Sequence, residues 1–84
     1  MGQVPEMLKV SFPRPRAAAW FGQVMRHLGF QAHEENPTTI VVFVPPLTAE
    51  EQRAFGVRDE YALVDMISTR AIAETRTGTA ARRP

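Results

Sequence analysis

The sequence predicts an α+β fold in which three strands and three helices follow one another in the order β-α-β-β-α-α. The strongest signal is residues 39–44, TIVVFV, which are β-branched or aromatic at every position, as is typical of a strand buried on both faces. In residues 7–12, the side chains at positions 8, 10 and 12 are apolar and share one face, which indicates a strand with one buried side. Gly29 and Phe30 follow an amphipathic segment in the pattern that ends a helix, a left-handed glycine and then an apolar contact.

The first helix is predicted over about residues 15–28. Pro15 suits its first turn, where the missing N–H of proline has no helical acceptor in any case. Apolar side chains at the spacing i, i+4, i+7 and i+11 form its expected core stripe, which Met25 widens: Ala17, Phe21, Val24 and Leu28. Gly22 lowers the helix propensity by up to about 1 kcal/mol relative to alanine. We therefore expect another element to pack closely against that position.

The second strand is predicted over residues 30–34, and residues 35–38, ENPT, form the turn that leads into the third strand. A right-handed β-α-β crossover places the first two strands parallel to each other. The third strand is the most apolar of the three, so we expect it in the centre, antiparallel to both neighbours. The predicted sheet order is 1-3-2, a split β-α-β arrangement with helices packed on one side.

Two prolines after the third strand exclude further ladder pairing. Thr48 and Glu51 then form a capping-box pattern that begins a short helix, which ends at Gly56. Asp59 begins a final helix that runs to about Glu74. The expected core stripe of this last helix consists of Leu63, Val64, Ile67 and Ala71.

The 84 residues suffice for one small domain, predicted over residues 1–74, followed by a disordered tail over residues 75–84. No cysteine is present, which favours a reducing, cytoplasmic setting and excludes thiolate chemistry. No apolar segment is long enough to span a membrane. Residues 1–74 hold nine acids against seven Lys and Arg, a difference of −2, whereas the tail holds Arg76, Arg82 and Arg83 and no acid. This balance argues against a dedicated duplex-DNA-binding protein, which normally has a basic face.

Metal and catalytic chemistry have little support in the sequence. The two histidines, His27 and His33, have acidic residues nearby in Glu34, Glu35 and Glu50, but the H-x5-H spacing matches no common zinc pattern. A nucleophile elbow, a cysteine nucleophile and a glycine-rich phosphate loop are all missing from the sequence. We therefore expect no metal, no cofactor and no catalytic residues, and a non-enzymatic protein.

Binding to another protein, or self-association to a homodimer, is the function that the sequence favours. The last helix has a second stripe at the spacing i, i+4, i+7 and i+11, in which an exposed tyrosine and isoleucine flank two polar residues: Tyr61, Asp65, Ser68 and Ile72. The alternative is that residues 45–57 fold over this stripe. On the first helix, Trp20 lies at the edge of the core stripe beside Arg16 and His27, as a binding hot spot would. Its alternative role is to cover the edge of the sheet.

Weak nucleic-acid binding is the second function that the sequence allows. It would use two arginines before and at the start of the first helix, Arg14 and Arg16, and the three arginines of the predicted tail, Arg76, Arg82 and Arg83. Binding through phosphates falls steeply with salt, whereas an apolar protein contact hardly changes. Salt dependence therefore separates the two functions.

Overall fold

The computed structural model describes residues 5–76, which form a three-stranded sheet with helices on one side. The elements are β1 (Glu6–Ser11), α1 (Pro15–His27), β2 (Gln31–Asn36), β3 (Thr39–Val44), α2 (Ala49–Phe55) and α3 (Glu60–Glu74). The sheet order is β1-β3-β2, and β3 pairs antiparallel with both neighbours. The predicted fold class, element order and strand order are confirmed.

The central strand β3 is buried on both faces, as its sequence predicts. Ile40, Val42 and Val44 belong to the core beneath the helices. On the opposite face Val41 is only 4% exposed, although no helix lies there. Side chains of the two outer strands cover Val41. The ammonium group of Lys9 in β1 reaches across β3 to within 3.1 Å of the Glu35 carboxylate in β2.

The C-terminus of α1 has the predicted glycine cap. Gly29 has a φ of 100°, the amide N–H of Gly29 donates to the Arg26 carbonyl at 3.0 Å, and that of Phe30 donates to the Met25 carbonyl at 3.0 Å. These two bonds are those of a Schellman motif. Because the chain reverses there, β2 returns beneath α1.

The buried face of α1 is rotated from the predicted stripe. Its buried residues are Ala17, Ala18, Phe21, Gly22 and Met25. Val24 is half-buried and Leu28 is exposed, so the prediction was wrong for the end of the stripe. The reason is the small size of the residues at 18 and 22, which lets α1 approach the sheet along that side. A methyl group at Gly22 would lie 3.5 Å from Cδ1 of Ile40, an ordinary van der Waals contact, so β3 packs against this position but leaves room for one methyl group.

The two last helices begin at the predicted caps. Thr48 Oγ1 accepts from the Glu51 amide at 3.1 Å, and Glu51 Oε1 accepts from the Thr48 amide at 2.9 Å, so the capping box of α2 is complete. Asp59 Oδ1 accepts from the Ala62 amide at 2.8 Å and caps α3. All four residues of the predicted α3 core stripe are buried.

The turn between β2 and β3 is shorter than predicted. Strand β2 continues to Asn36, with a register irregularity between Glu34 and Asn36, and the turn itself is formed by Pro37 and Thr38. The Asn36 side chain accepts from the Thr38 amide at 3.0 Å, and this local bond stabilises the tight turn. The bulge inserts one extra residue into β2, and the alternation of apolar and polar residues in the sequence does not show such an insertion.

The chain beyond α3 is described only as far as Arg76. Thr75, the first residue of the predicted tail, is buried, and its hydroxyl donates to the Ala71 carbonyl at 2.6 Å. The remainder of the predicted tail, residues 77–84, lies outside the described residues. Within residues 5–76, no helix is both long and apolar enough to cross a membrane.

Candidate functional site

A cavity of about 220 Å³ lies between α1 and α3, and we call it the α1–α3 groove. Its floor is the buried pair Leu63 and Ile67 of α3. The rim is more exposed, since Leu28 keeps 39% and Met66 keeps 41% of its surface accessible. The remaining lining residues are Trp20 and Val24 of α1, Phe55 of α2 and Arg70 of α3. The groove is therefore an almost wholly apolar depression with partly exposed walls.

A second cavity, of about 290 Å³, adjoins the groove along α1. Its lining consists of Trp20, Gln23, Val24 and His27. Trp20 and Val24 line both cavities, and they are one helical turn apart on α1, so together they form a ridge between two depressions. Trp20 and His27, which the sequence analysis selected as neighbours, do meet at this second cavity.

The ionisable side chains that line these two cavities are bases, Arg70 and His27. Helix α1 adds Arg16 and Arg26, and its sequence PRAAAWFGQVMRH contains no acid. Arg26 is engaged within the fold, where it donates to the Ala32 carbonyl at 2.9 Å. Arg70 lies 3.9 Å from the Glu74 carboxylate, a distance and exposure at which an ion pair contributes little.

The predicted stripe on α3 lies on the other flank of that helix, towards β1. The Tyr61 hydroxyl donates to the Glu6 carboxylate, and this hydrogen bond raises the pKa of Tyr61 to about 12. The Ser68 hydroxyl donates to the Asp65 carbonyl at 3.0 Å, and Ile72 is half-buried against the core. The structure therefore places this stripe and Trp20 on two separate surfaces.

The alternative for this stripe is that residues 45–57 fold over it. Phe55, the large aromatic residue of that segment, lines the α1–α3 groove and does not cover Tyr61.

Three of the five arginines of the nucleic-acid alternative lie within the described residues. Arg14 is half-buried, and its Nη2 donates to the Ile72 carbonyl at 3.2 Å, so it joins the start of α1 to the end of α3. Arg16 and Arg76 are exposed. Arg82 and Arg83 lie outside the described residues. Of the three, Arg14 is therefore engaged within the fold, and Arg16 and Arg76 are the two that are exposed.

The remaining candidates for metal binding or catalysis lie apart. His33 is on the helix-free face of the sheet, with its ring centroid 6.0 Å from that of Phe43. Glu35 is paired with Lys9 on the same face, whereas His27 is on α1. Within the part of the chain that the structure describes, no three His, Asp or Glu side chains are close enough to hold a metal ion.

Sequence reasoning found Trp20 and His27 but missed most of the groove. Val24 and Leu28 were assigned to the core, and Met66 and Arg70 were not selected. These last two are four residues apart, so they share one face of α3 beside the core stripe. That spacing is a signal, but it does not reveal which helix lies opposite.

The chain has no match among protein-family models, curated proteins or solved structures. Its function is therefore argued from the geometry of these cavities and the chemistry of their residues.

Proposed function

We propose that this protein is a small protein-binding module that uses the α1–α3 groove as its binding surface. The observation that carries the proposal is the cluster of partly exposed apolar side chains around the groove, Trp20, Leu28 and Met66, over a buried apolar floor. Partly exposed apolar clusters beside polar residues are typical of protein interaction sites. Tryptophan in such a position is also the residue type most enriched among interface hot spots.

The size of these two cavities favours a protein partner over a small ligand at this surface. A third cavity, of about 400 Å³, shares Leu28 and Phe55 with the groove and is also lined by Phe30, Phe43 and Glu51. Small-molecule sites usually occupy about 300–1,000 Å³. The two cavities measure about 220 and 290 Å³ and are separated by the ridge of Trp20 and Val24. An enclosed cavity of about 150 Å³ holds benzene, so each depression has room for one large apolar side chain. Two such side chains from one partner would fill both.

The chemistry of the lining residues also fits binding better than catalysis. In the described range 5–76, the two cavities are lined by no carboxylate, hydroxyl or thiol that His27 could act with. Arg70 supplies positive charge at the rim, and Arg70 and His27 both supply hydrogen-bond donors. We place the binding role in the cytoplasm, because a sequence of 84 residues without cysteine favours a reducing compartment.

A selection from a displayed library of helical peptides tests the proposal. We expect the wild-type protein to enrich a family of peptides, and Met66→Glu to lose them, because the substitution places a carboxylate at the apolar rim. Met66 is 41% exposed, so the variant should stay folded. Thr69→Glu is the matched control, since Thr69 is exposed on the same helix and does not line the groove. Equal enrichment by wild type and Met66→Glu would contradict the proposal.

A further inference from the structure

We propose that the partner segment is an acidic amphipathic helix of about two turns, held by two apolar anchors on either side of the ridge of Trp20 and Val24. This inference rests on the proposed binding function and deepens it. It goes further by stating the secondary structure, the anchor spacing and the charge of the occupant.

The direction of the helices defines the axis of the groove. Tyr61 at the start of α3 bonds to Glu6 at the start of β1, and Ile72 near the end of α3 bonds to Arg14, which follows the end of β1. Helix α3 therefore runs in the same direction as β1. Helix α1 returns between two parallel strands, so it runs the opposite way. Trp20 consequently faces the Arg70 end of α3, and Leu28 faces the Leu63 end.

The placement of the two depressions fits about two turns of a helix that crosses α1. Trp20 and Val24 are four residues apart, so their ridge runs roughly along α1, and a partner helix that inserts one side chain on each side of it must cross that direction. A partner helix of that length presents apolar side chains at i, i+3 or i+4, and i+7 on one face. The segment is therefore short, and it would gain its helical order on binding.

The ridge of Trp20 and Val24 explains why a helix fits better than an extended strand. Residues four apart on α1 form a ridge with a depression on each side. Successive side chains of a strand point to opposite faces, so only every second one could reach this surface. Residues three or four apart on a partner helix lie about 5–6 Å apart on one face, and can insert into both depressions at once.

The charge of the rim selects an acidic partner. Arg70 lines the groove, Arg16 is exposed one turn before Trp20, and within residues 5–76 neither of the two cavities is lined by a carboxylate. Glu74 is 3.9 Å from Arg70 in an exposed pair, so a better-placed carboxylate of the partner can replace it. Complementary rim charges of this kind raise the association rate and exclude partners of the wrong sign.

The experiment uses the sole tryptophan of the chain, Trp20, as the reporter. The selected peptides should have a net negative charge and apolar residues at i and i+3 or i+4. The best of these peptides that contains no Trp is titrated into the 84-residue protein, and binding is followed by Trp20 fluorescence. A copy of the peptide in which every Glu and Asp is replaced by Lys is titrated in parallel. We expect the Lys copy to bind roughly tenfold more weakly at low salt, and the difference to shrink at high salt. Arg70→Glu should reverse the order, whereas Arg53→Glu, outside both cavities, should preserve it.

The outcomes separate this inference from the proposed function. If the acidic peptide and its Lys copy bind equally well, and Met66→Glu abolishes the binding of both, the inference of an acidic partner is overturned and the proposed binding function stands. If the enriched peptides are basic or lack helical spacing, the inference is likewise overturned. If no peptide is enriched, or Met66→Glu binds as well as the wild type, the proposed function falls together with the inference.

Discussion

Two glycines in and just after α1 should respond to alanine in opposite ways. Gly22 is helical, and an added methyl group would make ordinary contacts, 3.4 Å from the Arg26 guanidinium and 3.5 Å from Ile40. Gly22→Ala should therefore raise the free energy of unfolding by up to about 1 kcal/mol through helix propensity. Gly29 has a φ of 100°, so Gly29→Ala should lower the free energy of unfolding by about 1 kcal/mol or more through backbone strain.

Thermal unfolding measures both changes. A difference of 1 kcal/mol should move the Tm by roughly 4–8 °C in a domain of this size. Gly29 has no neighbouring atoms that would clash with the added methyl group, so the paired variants separate backbone strain from crowding. A lower Tm for Gly22→Ala would mean that α1 and β3 cannot accommodate even one methyl group.

The single tyrosine gives a pH-dependent test of the contact between α3 and β1. The hydrogen bond to Glu6 raises the pKa of Tyr61 from 10.0 to about 12, and the negative charges of Glu60 and Asp59 act in the same direction. Because the protonated form is the one stabilised, this contribution is present below pH 10 and is lost as the pH rises to about 12. Ultraviolet titration of the tyrosinate should show the raised pKa.

Glu6→Gln is the matched variant for this titration, since it keeps the size of the side chain and removes its charge. We expect the pKa of Tyr61 to fall towards 10.0 in this variant. An unchanged titration curve would mean that Tyr61 does not donate to Glu6 in solution.

At the scale of elements, caps and periodic patterns were predictable where one short-range interaction decides the structure. The Schellman motif at Gly29 and the capping box at Thr48 depend on neighbours within six residues. The buried face of α1 was predicted less well. Leu28 is more hydrophobic than Ala18, so hydrophobicity favours burial of Leu28, whereas Ala18 is the buried residue. Close approach to the sheet depends on small size and not on hydrophobicity, so the small residues set the orientation.

The short helix α2 should depend strongly on its cap. It has seven residues, none of them buried, and isolated helices of that length are marginal in water. Thr48→Ala removes the acceptor for the Glu51 amide and should lower the free energy of unfolding by about 1 kcal/mol. Hydrogen exchange should accelerate within residues 49–55 first, and peptide binding should weaken because Phe55 is a wall of the groove.

Thr69→Ala is the control for this prediction, because Thr69 is exposed in the middle of α3. It should leave exchange in α2 unchanged. Uniform acceleration over the whole domain in Thr48→Ala would show instead that α2 unfolds only together with the core.

At the scale of the whole molecule, the site was less predictable than the fold. Strand order followed from the apolar character of β3, a property of one segment. The groove requires the relative placement of three helices, because Trp20, Phe55 and Met66 come from three different ones. A helical wheel shows which residues leave the core of one helix, but not which of them meet across two.

Self-association through the stripe of α3 stays a prediction, and the exposure of its side chains decides which variant tests it. A domain of this size buries a modest share of its surface, so a dimer would add stability. Ile72 is half-buried against the core, so Ile72→Asp would destabilise the monomer, whereas Tyr61 is 47% exposed. We expect light scattering at tens of micromolar to show a homodimer that Tyr61→Ala dissociates and Met66→Glu does not. A dimer lost only in Met66→Glu would instead place a second copy in the α1–α3 groove, and a monomeric wild type would refute self-association through either surface.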